Sequence, residues 1–302
     1  MPNPVAMSIL AGLISSAMFL SLMTGLPGMV MLAYFVQLPL LFAGLTLGVA
    51  GSVIAVASGL LVTGMVAGLM AAAIYTVVQA VPAVFVVRQA LLSREVDGRT
   101  EWYPPGLLLA QLAMIATAGL ALAFMILMGQ PGGFRGAIET FVVGALRELG
   151  ALEPDVPTPQ LDQMLFLFPG LMGVSWLIMV VLNLVLAQIL AMRMRWQRRP
   201  SPDFGAIELP RWLWPAIAAA ALLSLLGGDG LGFAARAALI ILIVPHGFLG
   251  LAVVHTLARR WSQPGLALAL IYGSILILGW PLLLVVVLGL IEDWAGLRQR
   301  LR

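Results

Sequence analysis

The sequence predicts an all-α fold, a polytopic transmembrane helical bundle of eight to nine spans. Three observations predict it. Hydrophobic residues make up 62% of the 302 and charged residues only 10%, where soluble domains carry roughly a quarter charged. So few charges cannot solvate the surface of a chain this long, and the mean hydropathy of +1.06 agrees. Not one charged side chain occurs from Met1 to Val87. The charges that do occur gather in short arginine-rich clusters between apolar runs, which is the pattern of topology signals.

The uncharged opening run corresponds to roughly 130 Å of helix, or about four crossings of a ~30 Å hydrocarbon core. Its first span, about 5–24, is expected to be retained: Met1–Asn3 brings no basic residue and no small-x-small cleavage site follows. Gly25-Leu26-Pro27-Gly28 ends it. Glycines at 48–51 and 64–68 divide the remainder into spans at about 28–47, 49–67 and 69–90. Arg88, Arg94 and Arg99 then mark the first polar loop, and a fifth span follows at about 105–128. The stretch 129–164 is hydrophilic. Spans at about 165–192, 212–228, 233–258 and 264–291 complete the single transmembrane domain, 1–302. The last of these is read as one kinked span broken by Pro281, with Trp294, Leu297 and Leu301 forming an apolar stripe opposite the tail arginines.

Arginine bias places 88–103, 193–211 and 259–263 in the cytoplasm and leaves 129–164 as an outward loop. Within that loop Phe134, Ile138, Phe141, Ala145 and Leu149 recur at helical spacing, with Arg135 and Glu139 as an i,i+4 pair on another face. This predicts an amphipathic helix, either a lid or a headgroup-resting element. Pro154 to Pro159 reads as an extended linker. Six tryptophans, at 102, 196, 212, 214, 261 and 294, stand at span ends, where headgroups favour them. The segment Trp102-Tyr103-Pro104-Pro105 is expected to be an ordered interfacial turn opening the fifth span, since proline suits a helix start.

Composition and motifs exclude several classes of function. Cysteine is absent, so disulfides and thiolate chemistry are out. The net charge of +3 is too small and too divided for a nucleic-acid surface. There is no HExxH, GxSxG, paired intramembrane aspartate or phosphate-binding glycine loop, so no catalysis and no cofactor or metal are expected. His246 and His255, nine residues apart, point to opposite helix faces and share no metal. No mid-span Asp or Glu exists to partner His246, which reads as a buried, hydrogen-bonded histidine.

The polar residues inside spans are the candidates for binding. Gln37, Tyr75, Gln79 and Asn183 are deep enough to orient a ligand, and Tyr75 and Gln79 lie one turn apart with Pro82 on the same face. The alternative is that they bond helix to helix. Such a site suits a neutral or weakly polar solute, because no buried charge is available to match an ionic one. Small-residue pairs Gly44/Gly48, Gly64/Gly68 and Ala55/Gly59 allow close helix approach. They serve either packing within the bundle or docking on a partner membrane protein.

Three stretches resemble the YybS-like family of predicted bacterial membrane proteins. They are Glu101-Trp102-Tyr103-Pro104-Pro105-Gly106, Gly250-Leu251-Ala252-Val253-Val254-His255, and Gly289-Leu290-Ile291-Glu292-Asp293-Trp294 ahead of an arginine-rich tail. The resemblance covers nearly the whole chain. Ala295-Gly296 departs from it, standing where that family more often has Phe and Asp. The family is a domain of unknown function, remotely similar to the substrate-binding S components of vitamin transporters and to the cell-shape protein MreD. It implies a multi-pass protein of the bacterial inner membrane that is either a small-solute binding or transport-associated subunit, or a non-transporting scaffold of the envelope machinery.

Overall fold

A computed structural model describes residues 3–148, 150 and 158–300. Apart from a small hairpin and short turns its elements are helices: α1 Pro4–Leu20, α2 Pro27–Ala33, α3 Gln37–Leu47, α4 Val49–Tyr75, α5 Val81–Ala90, strands β1 Ser93–Val96 and β2 Arg99–Trp102, α6 Pro105–Leu127, α7 Gly133–Glu148, α8 Thr158–Arg193, α9 Leu213–Leu226, α10 Gly228–Ala258, α11 Pro264–Leu278, α12 Pro281–Ala295 and α13 Leu297–Arg300. Among the described residues, six helical segments are long and apolar enough to cross a membrane. Large apolar side chains such as Leu69, Leu276 and Ile277 stand more than 80% exposed. A bilayer tolerates such an apolar surface, and water does not.

The chain packs as two compact units. The first is Met1–Leu108 with Ile178–Pro202; the second is Leu109–Leu177 with Asp203–Arg302. The expected breaks at Gly48 and Gly68 are present in the first unit. Both glycines adopt φ near +90° with extended ψ, Gly48 at 93°/−180° and Gly68 at 82°/180°. That region is essentially closed to side-chain-bearing residues. The 42-residue apolar segment 49–90 therefore folds back on itself. Gly59 lies against the Tyr75 hydroxyl, and Gly64 is 3.6 Å from the Ala72 methyl if given a Cβ. A π-turn, Thr76–Ala80, joins the short second leg of α4 to α5.

The small-residue faces are occupied inside this unit. Gly12 of α1 meets Ala55 and Ser58 of α4, and Gly44 of α3 meets Val87 of α5. Arg198 and Arg199 cap helix C-termini. Arg198 Nε donates to Thr46 O (3.0 Å), and Arg199 Nη1 donates to Ala90 O (2.7 Å) while its guanidinium lies 5.6 Å over the Trp102 ring. Burial lowers the Arg199 pKa from its ordinary value, yet a guanidinium keeps its proton. These arginines gather the ends of α3, α5 and α8 at one end of the unit, beside the β hairpin.

That hairpin is absent from the sequence reading. Asp97 and Gly98, both at positive φ (51° and 73°), form its turn, and Asp-Gly is a favoured two-residue hairpin connection. β2 runs into Trp102, Tyr103 N–H donates to Leu92 O (2.9 Å), and Pro105 opens α6.

In the second unit α7 confirms the expected helix, with Phe134 buried against Phe124 and Phe233. Phe141 is 59% exposed, although its ring lies 5.9 Å from Phe168. Leu149 lies outside the described residues, as does the expected linker up to position 157. Arg135 pairs with Asp162 at 3.2 Å rather than with Glu139. α8 starts at Thr158, ahead of the expected 165. The last apolar segment, expected as one span kinked at Pro281, forms two 15-residue helices, α11 and α12. Gly279 takes φ +73° and Pro281 at the head of α12 has no N–H to continue the ladder. At 1.5 Å per residue each is about 22 Å long, short of the ~30 Å core.

Candidate functional site

Three of the sequence candidates, Gln37, Asn183 and (through Ser15) Tyr75, tie to one irregular turn of the first unit, Tyr34 to Gln37, between α2 and α3; the fourth, Gln79, follows the residue that Gln37 bonds. Ser15 of α1 donates to Val36 O (2.7 Å). That commits the serine hydrogen, so the Tyr75 hydroxyl donates to Ser15 Oγ (2.8 Å). Gln37 Nε2 donates to Val78 O (3.0 Å) within the π-turn, beside Gln79. Asn183 Nδ2 reaches Tyr34 O (2.6 Å) and Met179 O (2.7 Å). Tyr75, Gln37 and Asn183 are fully buried and Gln79 nearly so. The turn thus collects bonds from α1, the π-turn and α8. Much of the polarity of these residues is spent joining helices. Three amide oxygens, Gln37 Oε1, Gln79 Oε1 and Asn183 Oδ1, are buried without a hydrogen-bond partner. In Gln37 and Asn183 the amide NH2 faces a backbone carbonyl, which fixes the oxygen on the other side.

Of the interfacial segment, Trp102 stacks under Arg199 and the Tyr103 hydroxyl accepts from Gln89 Nε2 (3.3 Å). Pro104 and Pro105 bridge strand to helix. These four residues do not join the turn at Tyr34.

The second unit holds two features that sequence reasoning missed. The first is a cavity of about 320 Å³ between α6, α9 and α10. Thr117, Phe124, Ala216, Ala219, Leu223 and Ala234 are among its lining residues. The only polar side chain there, Thr117, donates its hydroxyl to Ala113 O (2.9 Å). The wall is therefore hydrocarbon. The alanines create the space, since they recur at helical spacing on α9 (216, 219, 220) and α10 (234, 235, 238). That repeat was legible in the sequence, but small residues read equally as helix packing.

The second feature is an ionisable cluster where α12 meets α9 and α10. Gly250 and Gly289 let α10 and α12 touch: a Cβ on either would run into Val285 O or His246 O. The 250–285 and 246–289 pairs make α12 antiparallel to α10. One turn beyond Gly289, Asp293 Oδ2 accepts from Trp214 Nε1 (2.6 Å) and lies 3.5 Å from His246 Nε2. This corrects the expectation that His246 has no acidic neighbour. Nor is its ring hydrogen-bonded, for neither nitrogen has a partner of hydrogen-bond geometry. Next to it Arg298 Nε pairs with Glu292 Oε1 (2.7 Å), and the same guanidinium donates to Gly205 O and Ile207 O (2.7 Å each). The tail is thereby held beside the segment that precedes α9. Among the described residues no group of three or more His, Asp or Glu could hold a metal ion.

The chain matches the family described as "Predicted membrane protein (DUF2232)" over residues 147–292. No curated protein and no solved structure matches it. By composition, helices and this match, the chain is similar to a membrane protein family of unknown function.

Proposed function

We propose that this chain is a membrane-embedded binding subunit, without catalytic activity, that holds a small, largely apolar molecule between α6, α9 and α10. The cavity of about 320 Å³ carries this reading. Ligand sites span roughly 300–1,000 Å³ and are mostly apolar, so this one lies at the small end of that range. Such a role resembles that of transporter S components. The sequence holds no phosphate-binding loop, so energy for release or transfer would come from a partner. The arginine bias supports a multi-pass placement in a bacterial cytoplasmic membrane.

Purification in mild detergent, followed by extraction and mass analysis, tests the reading. The expected result is one small apolar species retained by the wild type and lost from Ala219→Phe and Ala234→Phe, whose rings fill the space. Equal retention by the filled variants contradicts it. A wild type carrying no small molecule, but recovered with an envelope protein, would favour the scaffold role.

A second reading has its own observation. The bare amide oxygens of Gln37, Gln79 and Asn183 suit a solute that donates hydrogen bonds, at a site of Gln37, Tyr75, Gln79 and Asn183. It predicts a polar species that Gln79→Leu loses and Ala219→Phe keeps.

A further inference from the structure

We propose that His246 and Asp293 form a proton-binding site, buried where α9, α10 and α12 meet. The inference is independent of the cavity. His246 is fully buried, in the middle of an apolar helix, and the Asp293 side chain is 17% exposed. An ionisable residue in such a place is costly and marks function more often than packing.

Charge accounting singles out this pair. Glu292, the neighbouring acid on α12, is neutralised by Arg298. Asp293 has only an indole N–H and the imidazole, with no arginine paired to it among the described ion pairs. With neutral His246 the cluster keeps one uncompensated carboxylate. When the imidazole takes up a second proton it becomes an imidazolium opposite that carboxylate, and the pair is neutral overall. No other bond forms or breaks. The Trp214 ring, 5.0 Å from the imidazole centroid and 63° to it, closes another side.

The surrounding elements bring few competitors. α9 presents Trp214 and no ionisable group. α12 presents Asp293 and the paired Glu292, and the tail presents Arg298. In the turn before α9, Asp203 is occupied by Gly205 N–H (2.8 Å). His255, on α10 itself, bonds its own helix at Leu251 O and lies against Tyr272. With two histidines, no lysine and no cysteine in the chain, few groups besides His246 and His255 ordinarily change charge between about pH 5 and 8.

The backbone is built for the pairing. Gly289 lets α12 approach His246 O closely enough for Asp293, one turn on, to reach the ring. A proton on His246 would strengthen the tie between α12 and α10, and its loss would weaken it.

Imidazole nitrogen NMR of the full chain in lipid nanodiscs tests the site. His255→Gln leaves one imidazole to observe. The expected result is that this signal passes from neutral to doubly protonated as the pH falls from 8 to 5, and that it stays neutral over that range when Asp293→Asn is added. A ring that never protonates, or an unchanged titration in Asp293→Asn, overturns the proposal. If Asp293→Asn does not fold, Trp214→Phe replaces it. That variant removes the indole donor and keeps the carboxylate, so the titration must persist with a displaced midpoint. An unmoved midpoint overturns the proposal equally.

Discussion

Tyr75 shows how a single polar side chain inside an apolar run is used. Its hydroxyl donates to Ser15, which donates to Val36 O, so three helical segments hang on two hydrogen atoms. Tyr75→Phe removes one end of this relay and is expected to cost about 1 kcal/mol, near the usual net value for one bond. Ser15→Ala strips the middle, leaving a buried hydroxyl and a buried carbonyl unpaired, and is expected to cost on the order of 2 kcal/mol. Reversible unfolding in detergent measures both; equal costs would show that the relay is not continuous. Gln37, Tyr75 and Asn183 were legible as a group because polar atoms in hydrocarbon must find partners. Their common target, the backbone of Tyr34–Gln37, was not, since nothing in sequence marks a carbonyl as free. The partner of His246 was hidden by distance. Asp293 lies 47 positions on and reads as an ordinary span-end acid.

At the scale of elements, glycine carries the information. Gly48 and Gly68 mark the corners of the first unit, legible as breaks although no polar loop accompanies them. Gly68→Ala forces a Cβ into φ +82°, ψ 180°, a strain of about 1–3 kcal/mol. Thermal melting should show that loss, and no change at Gly265, which has open space around its Cβ position and an ordinary φ, would serve as the control. Gly289→Ala acts differently, driving a methyl into His246 O and wedging α12 from α10. It should destabilise by about 1–3 kcal/mol through overpacking and quicken proteolysis of the tail. Protection equal to wild type would show that the two helices are not in close contact. The break of the final apolar segment was only half legible. Pro281 announced it, but the positive φ of Gly279 (+73°), which makes two separate helices, has no mark of its own in the sequence. The β hairpin was missed because its polar residues outweighed the Asp97-Gly98 turn signal.

At the scale of the molecule, composition alone settles the class, because so few charges leave the bilayer as the only compatible solvent. It could not reveal two packing units or a cavity, which arise from how alanine faces happen to oppose one another. Topology is testable without background, since the chain has no cysteine. Single cysteines at 95, 197 and 300 should resist an impermeant reagent added outside, and one at 131 should react. Position 300 belongs with the inner set because Arg298 is bonded to Gly205 and Ile207. Outside labelling at 197 or 300 would contradict this arrangement.

A binding role requires that the cavity of the second unit take up a ligand. Thermal unfolding of delipidated wild type and Ala219→Phe, with and without the apolar species recovered from the wild type, tests this most directly. At a hundred times its dissociation constant a ligand stabilises by ~2.7 kcal/mol. The expected result is a rise in Tm for the wild type and none for Ala219→Phe; an equal rise in both, or none in either, would contradict binding in the cavity.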